Sequence, residues 1–255
     1  MSETAHPIEV ESYRILRDKL DLSAWPPLAR AVVGRVIHAT ADLDFATSMV
    51  VTSESVDAGI TALHENAPVI CDVEMLRAGI PGLETLCFLS EALGGPSGMP
   101  TRSAAAIGIA AERHPDGAIF VIGCAPTALF EVIRLTQLGL LKPALVVGIP
   151  VGFVGAAESK AALRKLSESL GIPAISNIGD KGGSAAAAAA INAIVRLAHS
   201  LPGSSDSTSA SSPEQERQSG QVNQDDQEHR KMLNDKDRSM QLQGGQALAG
   251  DNVDD

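Results

Sequence analysis

The sequence has few positive charges and no cluster of them. Its 20 Lys and Arg face 31 Asp and Glu, which gives a formal net charge of −11. Proteins that bind nucleic acid need clustered cationic side chains to attract phosphates. The charge balance therefore argues against a nucleic-acid partner.

Long apolar runs and cysteine are also scarce. No run approaches the roughly 18 uninterrupted apolar residues that a membrane-spanning helix needs, so we expect no membrane span. The three cysteines, Cys71, Cys87 and Cys124, form no C-x-x-C pair, and the N-terminus lacks a basic segment followed by an apolar stretch. We expect a cytoplasmic protein with reduced thiols.

Several motifs that carry chemistry are missing. The sequence contains no G-x-G-x-x-G, no G-x-x-x-x-G-K-[ST] and no G-x-S-x-G. These absences argue against dinucleotide sites, nucleoside triphosphate sites and a serine nucleophile on a strand-to-helix elbow. The six histidines and three cysteines show no paired ligand spacing, so we expect no bound metal.

What the sequence does have is a strong division of composition. Apolar residues make up 44% of the chain, and nearly all of the apolar runs lie within residues 1–200. Residues 201–255 are rich in Ser, Gln, Asp and Asn and contain no aromatic residue. Such a segment cannot bury enough apolar surface to fold. We predict one domain over 1–200 and a disordered acidic tail over 201–255.

Within the domain, apolar runs alternate with helical patterns. Runs typical of buried strands span 48–52, 68–71, 118–122 and 144–151, with a weaker candidate at 174–178. Helical patterns span 11–20, 28–38, 56–65, 101–113, 126–138, 156–170 and 184–199. Repeated strand-then-helix units predict an α/β fold, a three-layer α/β/α sandwich around a mostly parallel sheet.

In such a sheet, ligands bind where strands end and the next helices begin. Glycines there let a ligand approach the backbone, and the free N–H groups of a helix start favour anions. Several converging starts would suit a ligand with several carboxylates, although each one alone is more often an ordinary cap or tight turn. The candidate binding residues at these junctions are Arg102, Ser103, Thr127, Gly155, Gly183 and Ser184.

Two further features could take part in chemistry. His38 ends a predicted helix, and imidazole is the side chain whose ordinary pKa lies nearest neutrality, which makes it a natural proton carrier. A histidine at a helix end can equally be a structural group stabilised by the helix dipole. Asp72 and Glu74 follow a predicted strand, where they are either catalytic carboxylates or a solvated loop or helix cap.

Several segments, in order and in register, resemble the precorrin-8X methylmutase family of cobalamin biosynthesis. The resemblance covers most of residues 8–198. It also includes Ser12 in the first helical segment. The matching segments are RVIHAT at 35–40, CDVEM at 71–75, TRSAAA at 101–106, APTALFE at 125–131, GIPVGFVGAAESK at 148–160 and KGGSAAAAA at 181–189.

The resemblance implies a cofactor-free isomerase that moves a methyl group from carbon 11 to carbon 12 of precorrin-8X or cobalt-precorrin-8. The product would be hydrogenobyrinic acid or its cobalt counterpart, cobyrinic acid. By resemblance, His38 is the proton donor or acceptor, and Ser12 and Arg35 contact the substrate. Arg102 would bind a carboxylate, since guanidinium suits bidentate pairing. The family also implies a homodimer with sites near the interface.

Two other functions stay open at this point. One is a non-catalytic module that binds and delivers corrinoids, and the other is an α/β enzyme that acts on a different polycarboxylate or on a nucleotide. The chain also departs from the family at two positions. It has Cys124 where the family usually has Asn, and Asp180 where a basic residue is common.

Overall fold

The structure is a computed structural model, and it describes residues 6–93 and 100–201. The acidic tail that the composition predicts lies outside the described residues, apart from its first residue. Over the described ranges no helix is both long and apolar enough to cross a membrane.

The described elements include every helix and strand that the sequence predicts, in the predicted order, together with two short helices, Phe45–Ser48 and Glu74–Ala78, that it does not predict. The helices are α1 Pro7–Lys19, α2 Pro27–Thr40, α3 Phe45–Ser48, α4 Ser53–His64, α5 Glu74–Ala78, α6 Arg102–Arg113, α7 Pro126–Gln137, α8 Ala156–Leu170 and α9 Ser184–Ser200. The strands are β1 Met49–Val50, β2 Val69–Cys71, β3 Thr85–Leu86, β4 Ile119–Ile122, β5 Leu145–Gly148 and β6 Ala174–Asn177.

The strands form one six-stranded sheet in the order β1-β6-β5-β4-β2-β3. All neighbours are parallel except β1, which pairs antiparallel with β6. The central strands β4 and β5 are buried at every position and consist almost entirely of apolar residues. Continuous apolar strands of this kind are typical of parallel sheets that are covered on both faces.

Alternate residues of each strand enter two separate cores. Val121, Val147 and Ile175 belong to the core under α2, α4, α5 and α9. Phe120 and Val146 belong to the core under α6, α7 and α8. The three-layer α/β/α architecture predicted from the sequence is therefore confirmed. The sequence analysis did not predict the short edge strand β3 or the antiparallel direction of β1.

Helix α9 packs closely against the carboxyl end of β4. The five residues 186–190 are all alanine and all buried, which lets the helix approach the sheet. A Cβ atom placed on Gly123 would lie 2.9 Å from both the Ala187 Cβ and the Ser184 Cα. Because the second of these is a backbone atom, the contact cannot be relieved by a side-chain rotation. Glycine at this position therefore brings the start of α9 against β4.

We predict that Gly123→Ala destabilises the protein by about 1–3 kcal/mol, the usual effect of overpacking a close contact. The matched control is Gly108→Ala, because a Cβ there meets nothing within 4 Å. Gly108 lies inside α6, so alanine should stabilise that helix by about 0.5–1 kcal/mol. Urea unfolding of both variants measures the two free energies. Equal midpoints for the two variants would contradict the packing argument.

Candidate active site

His38 lies near the end of α2 and is held by two residues of α1. The Ser12 Oγ lies 2.8 Å from the His38 Nδ1. The Tyr13 ring stacks on the imidazole with centroids 4.8 Å apart and planes 7° from parallel. The imidazole is half-buried. The hydrogen bond with Ser12 and the stacking against Tyr13 together hold the imidazole ring in one orientation.

The surroundings of His38 favour its neutral form. Burial lowers the pKa of the imidazole most, the positive charges of Arg35 and Arg196 lower it further, and Glu9 acts in the opposite direction. The pKa therefore lies below its ordinary value of 6.5. A neutral imidazole can accept a proton at its unprotonated nitrogen, and the imidazolium that forms can then donate one.

A single carboxylate joins α1 to both α2 and α9. The Arg35 Nη1 donates to the Glu9 Oε1 at 2.6 Å, and the Arg196 Nη1 donates to the same oxygen at 2.7 Å. The hydrogen bond from Arg196 is the main reason that the pKa of Glu9 is lowered. Glu9 is therefore ionised near neutral pH and carries one negative charge between two guanidinium groups.

A cavity of about 870 Å³ opens beside this group of residues, between α1, α2 and the last turns of α9. Its lining includes Tyr13, which stacks on His38, and Arg35, which lies one helical turn before it, but not His38, Ser12 or Glu9. The volume falls within the range of about 300–1,000 Å³ that is common for small-molecule sites. The cavity is lined by Tyr13, Leu16, Arg17, Leu20, Asp21, Leu22, Ser23, Pro27, Arg30, Ala31, Gly34, Arg35, Ala193, Arg196, Leu197 and Ser200.

The helix starts form a second group at the carboxyl edge of the sheet. The Thr101 Oγ1 lies 2.8 Å from the Thr127 Oγ1, which joins the starts of α6 and α7. The Arg102 Nε donates to the Leu89 carbonyl at 2.9 Å. A Cβ on Gly155 would lie 3.4 Å from the Pro126 Cβ, so the start of α8 lies beside that of α7. Ser103 lies in the first turn of α6 and is half-buried.

The start of α9 belongs to the same edge but is more enclosed. Gly183 has a φ of +121°, which L residues rarely adopt, and its N–H donates to the Ile149 carbonyl. Ser184 is 8% exposed, and its hydroxyl has no hydrogen-bond partner among the described residues. The Gly183 N–H is thus used within the protein, and the Ser184 hydroxyl is turned away from solvent.

The residues around His38 and the helix starts come from different parts of the chain. Ion pairs join the segments next to them. The Lys181 Nζ lies 2.7 Å from the Asp42 Oδ2 and 2.6 Å from the Asp44 Oδ2. These contacts tie the segment after α2 to the segment before α9. Among the described residues, no hydrogen bond joins Ser12 or His38 to the helix starts of α6, α7 and α8.

Asp72, an open candidate in the sequence, is a buried structural cap. Its carboxylate accepts backbone N–H groups of Gly123, Cys124 and Ala125 at 3.1, 2.8 and 2.8 Å. Burial raises the pKa of Asp72, while the three N–H groups act to lower it. These amides, at the turn into α7, are therefore used inside the protein. Glu74 is exposed and pairs with Arg77.

Sequence reasoning missed a buried lysine. Lys160 is 0% exposed, and its Nζ donates to the Asn177 Oδ1 at 3.0 Å and to the Lys181 carbonyl at 2.6 Å. Burial lowers the pKa of Lys160 to about 8. The ammonium group holds together the turn that leads into α9. The only signal for Lys160 in the sequence was that it ends the segment GIPVGFVGAAESK, because a single lysine in a sequence does not indicate whether it is buried.

The comparison with protein families decides between the alternatives that the sequence left open. The family model of precorrin-8X methylmutase matches residues 7–197, which include every residue of both groups. The chain belongs to the precorrin-8X methylmutase family. It is a methylmutase, an isomerase of corrin biosynthesis. This result excludes the two alternative functions, a non-catalytic corrinoid-delivery module and an α/β enzyme that acts on another polycarboxylate or on a nucleotide.

Individual relatives agree with the family model. The cobalt-precorrin-8 methylmutase of Methanocaldococcus jannaschii is 44% identical over 171 residues, covering 66% of this chain and 79% of that protein. A precorrin-8X methylmutase from Sinorhizobium is 40% identical over 195 residues, covering 72% and 91%. The crystal structure of precorrin-8X methylmutase from Thermus thermophilus superposes with a TM-score of 0.66 at 35% identity, covering 76% of this chain and 96% of that one.

We predict that Arg35→Gln raises the pKa of His38, because it removes one of the positive charges that lower it. Titration of the imidazole nitrogens by NMR in histidine-labelled protein measures the change. The control is Arg134→Gln, which removes an equal charge from α7, where Arg134 pairs with Glu131. An unchanged or lower His38 pKa in Arg35→Gln would contradict the electrostatic account.

Proposed function

We propose that this methylmutase moves the methyl group on carbon 11 of precorrin-8X or cobalt-precorrin-8 to carbon 12, with His38 as the proton carrier. The macrocycle lies against the cavity between α1, α2 and α9 and reaches the imidazole beside Tyr13, which lines the cavity and stacks on His38. The observation that carries this proposal is the arrangement of Ser12, Tyr13 and Arg35 around a half-buried, neutral imidazole.

The chemistry needs only a proton and a fixed orientation. His38 first takes up a proton from solvent, and the imidazolium then protonates the conjugated ring, which withdraws electron density from it and lowers the barrier to migration of the methyl group. The bond from the methyl carbon to carbon 11 breaks as the bond to carbon 12 forms, and the proton then returns to the imidazole. The reaction is an isomerisation with no net gain of proton or electron. Ser12 keeps the ring nitrogens of His38 in place for both transfers.

The helix starts would hold part of the acidic edge of the ring. Arg102, Ser103 and Thr127 offer guanidinium and hydroxyl donors at one edge of the sheet, and Gly155 and Gly183 let a ligand approach the backbone there. Anions are favoured at helix N-termini by the helix dipole and by the unpaired N–H groups. Ser184 would contribute through its backbone, since its hydroxyl is enclosed.

No hydrogen bond joins these two groups among the described residues, so the proposal includes the homodimer that the family resemblance implies. Apolar side chains next to the helix starts support it, because Phe153 is 95% and Val154 88% exposed. Exposed apolar side chains that lie together often mark a contact between proteins. In a dimer, the helix starts of one subunit would approach the His38 group of its partner.

We expect sedimentation equilibrium to give a mass of about twice 26.4 kDa, the mass of one chain. Phe153→Glu should shift the protein toward a monomer, because it places a charge in the apolar contact. The control is Leu138→Glu, because Leu138 is an exposed leucine that directly follows the last residue of α7. A monomeric parent protein, or a dimer that Phe153→Glu leaves intact, would contradict the proposed dimer.

We also propose that the protein is cytoplasmic. It is supported by the three cysteines, which are all free thiols in the structure. Unpaired cysteines are the usual state in a reducing compartment.

We predict that His38→Ala lowers turnover by about a hundredfold to ten-thousandfold, the usual contribution of a positioned acid or base. Binding of hydrogenobyrinic acid, followed by its visible absorption, should stay within about threefold of the parent protein, because the ring is held by its carboxylates. The control is His114→Ala, which alters a histidine beside Phe88 in the other core. Undiminished turnover in His38→Ala would refute the assignment of His38.

A further inference from the structure

We propose that Arg17 is a further substrate-binding residue, which binds one carboxylate of the macrocycle one helical turn beyond Tyr13. This role rests on the proposed function, because it requires that the ring lies against the cavity between α1, α2 and α9. It deepens that function by assigning a cationic side chain of α1 to the acidic edge of the ring. Arg17 belongs neither to the helix starts nor to the segments that carry the family resemblance.

One face of α1 forms a wall of the cavity. Its lining side chains follow one another at the three- and four-residue spacing that places them on one side of a helix, and they are Tyr13, Leu16, Arg17 and Leu20. Tyr13 stacks on the His38 ring. Arg17 is four residues further along, which corresponds to about 6 Å along the helix axis. A flat ring that reaches the imidazole beside Tyr13 can therefore extend toward the Arg17 guanidinium.

Arg17 has its hydrogen-bond donors available. Across residues 6–93 and 100–201 it forms no hydrogen bond or ion pair, so the five N–H donors of its guanidinium can all turn to a ligand. Arg14, three residues earlier on the same helix, donates instead to the carboxylates of Glu11 and Asp18. Arg17 therefore brings to the cavity a positive charge that no neighbouring carboxylate pairs with.

The charges close to Arg17 in the cavity lining are cationic on balance. The Arg30 guanidinium donates only to neutral groups, the backbone carbonyls of Trp25 and Ser23. Asp21 is the one carboxylate among the described residues that line the cavity, and its two oxygens accept the N–H and the hydroxyl of Ser23. Two guanidinium groups and one carboxylate leave a net charge of +1, which favours an anion.

The other two arginines of the cavity are less suited to this role. Glu9 lies between Arg35 and Arg196 and accepts a hydrogen bond from each of them. Its carboxylate already occupies the place that a carboxylate of the ring would need. Within the described part of the chain, Arg17 is therefore the cavity arginine whose charge and donors are both unused.

The apolar part of the lining suits the rest of the ring. Leu16 and Leu20 come from α1 and its C-terminal cap, Leu22 follows them, and Leu197 comes from α9. Apolar surface beside a cationic side chain matches a macrocycle that has an apolar face and an acidic edge. The chemical group that Arg17 would recognise is thus a carboxylate side chain of the ring, not the ring itself.

The test compares Arg17→Gln with Arg14→Gln as a matched control. Both changes remove one exposed positive charge from α1, but only Arg17 lines the cavity. Each protein is titrated with hydrogenobyrinic acid and with the fully methyl-esterified form of the same ring. We expect Arg17→Gln to bind the acid about threefold to thirtyfold more weakly than the control, because a charge-assisted hydrogen bond is lost at an exposed site. Both variants should bind the ester equally, since the ester has no carboxylate.

A lysine variant, salt and kinetics add independent readouts. Arg17→Lys should keep part of the affinity for the acid, because it retains the charge but not the forked geometry of guanidinium. Rising KCl should reduce the difference between Arg17→Gln and the control, because salt screens exposed charges. In turnover, Arg17→Gln should raise KM with kcat changed by no more than about threefold, the pattern expected for uniform binding. Thermal unfolding checks that each variant folds, and Arg17→Lys decides the question if Arg17→Gln does not.

Three results would count against these expectations. Equal binding of the acid by Arg17→Gln and Arg14→Gln would show that Arg17 does not contact the ligand. Equal losses for acid and ester would show that Arg17 affects binding without recognising a carboxylate. If the parent protein binds neither compound and has no turnover, the proposed function itself fails, which separates that outcome from the other two.

Discussion

The candidate active site depends on the carboxylate of Glu9, because it anchors the helix that covers His38. Leu16 is the only buried residue of α1, so apolar packing alone holds that helix weakly. The pair of Glu9 with Arg35 is largely shielded from solvent, with side-chain exposures of 18% and 20%. It should therefore contribute more than the roughly 0–1 kcal/mol typical of exposed pairs. With α1 fixed in this way, Ser12 and Tyr13 reach the imidazole from one side.

The sheet and the helices that cover it could be predicted from the sequence because their signals are local. The strand Ile119–Ile122 is a continuous apolar run, and the helices beside it show regular spacing of buried residues. The antiparallel β1 could not be predicted, because its direction depends on its pairing with Asn177 and Ser176, far along the chain. The same limit applies to the burial of Lys160, which depends on a carbonyl 21 residues away.

The candidate site was predictable only in part, for a related reason. Ser12 and His38 are 26 residues apart, and only the family resemblance connected them before the structure placed their side chains in contact. The rule that ligands bind at strand ends pointed to the helix starts, yet the N–H groups at the turn into α7 are occupied by Asp72. The large cavity forms elsewhere, between α1, α2 and α9. Its position follows from packing between helices, for which a single sequence gives no local signal.

The charges around His38 control whether it carries a proton. Burial lowers the pKa of the imidazole most, and the positive charges of Arg35 and Arg196 lower it further, so the free protein favours the neutral form. A substrate carboxylate bound near the imidazole would add negative charge and raise the pKa of His38. Binding of the acidic ring would then favour uptake of the proton that the ring must receive. On the proposed mechanism, the affinity for the substrate and the protonation of His38 are thermodynamically linked, because bound carboxylates stabilise the imidazolium.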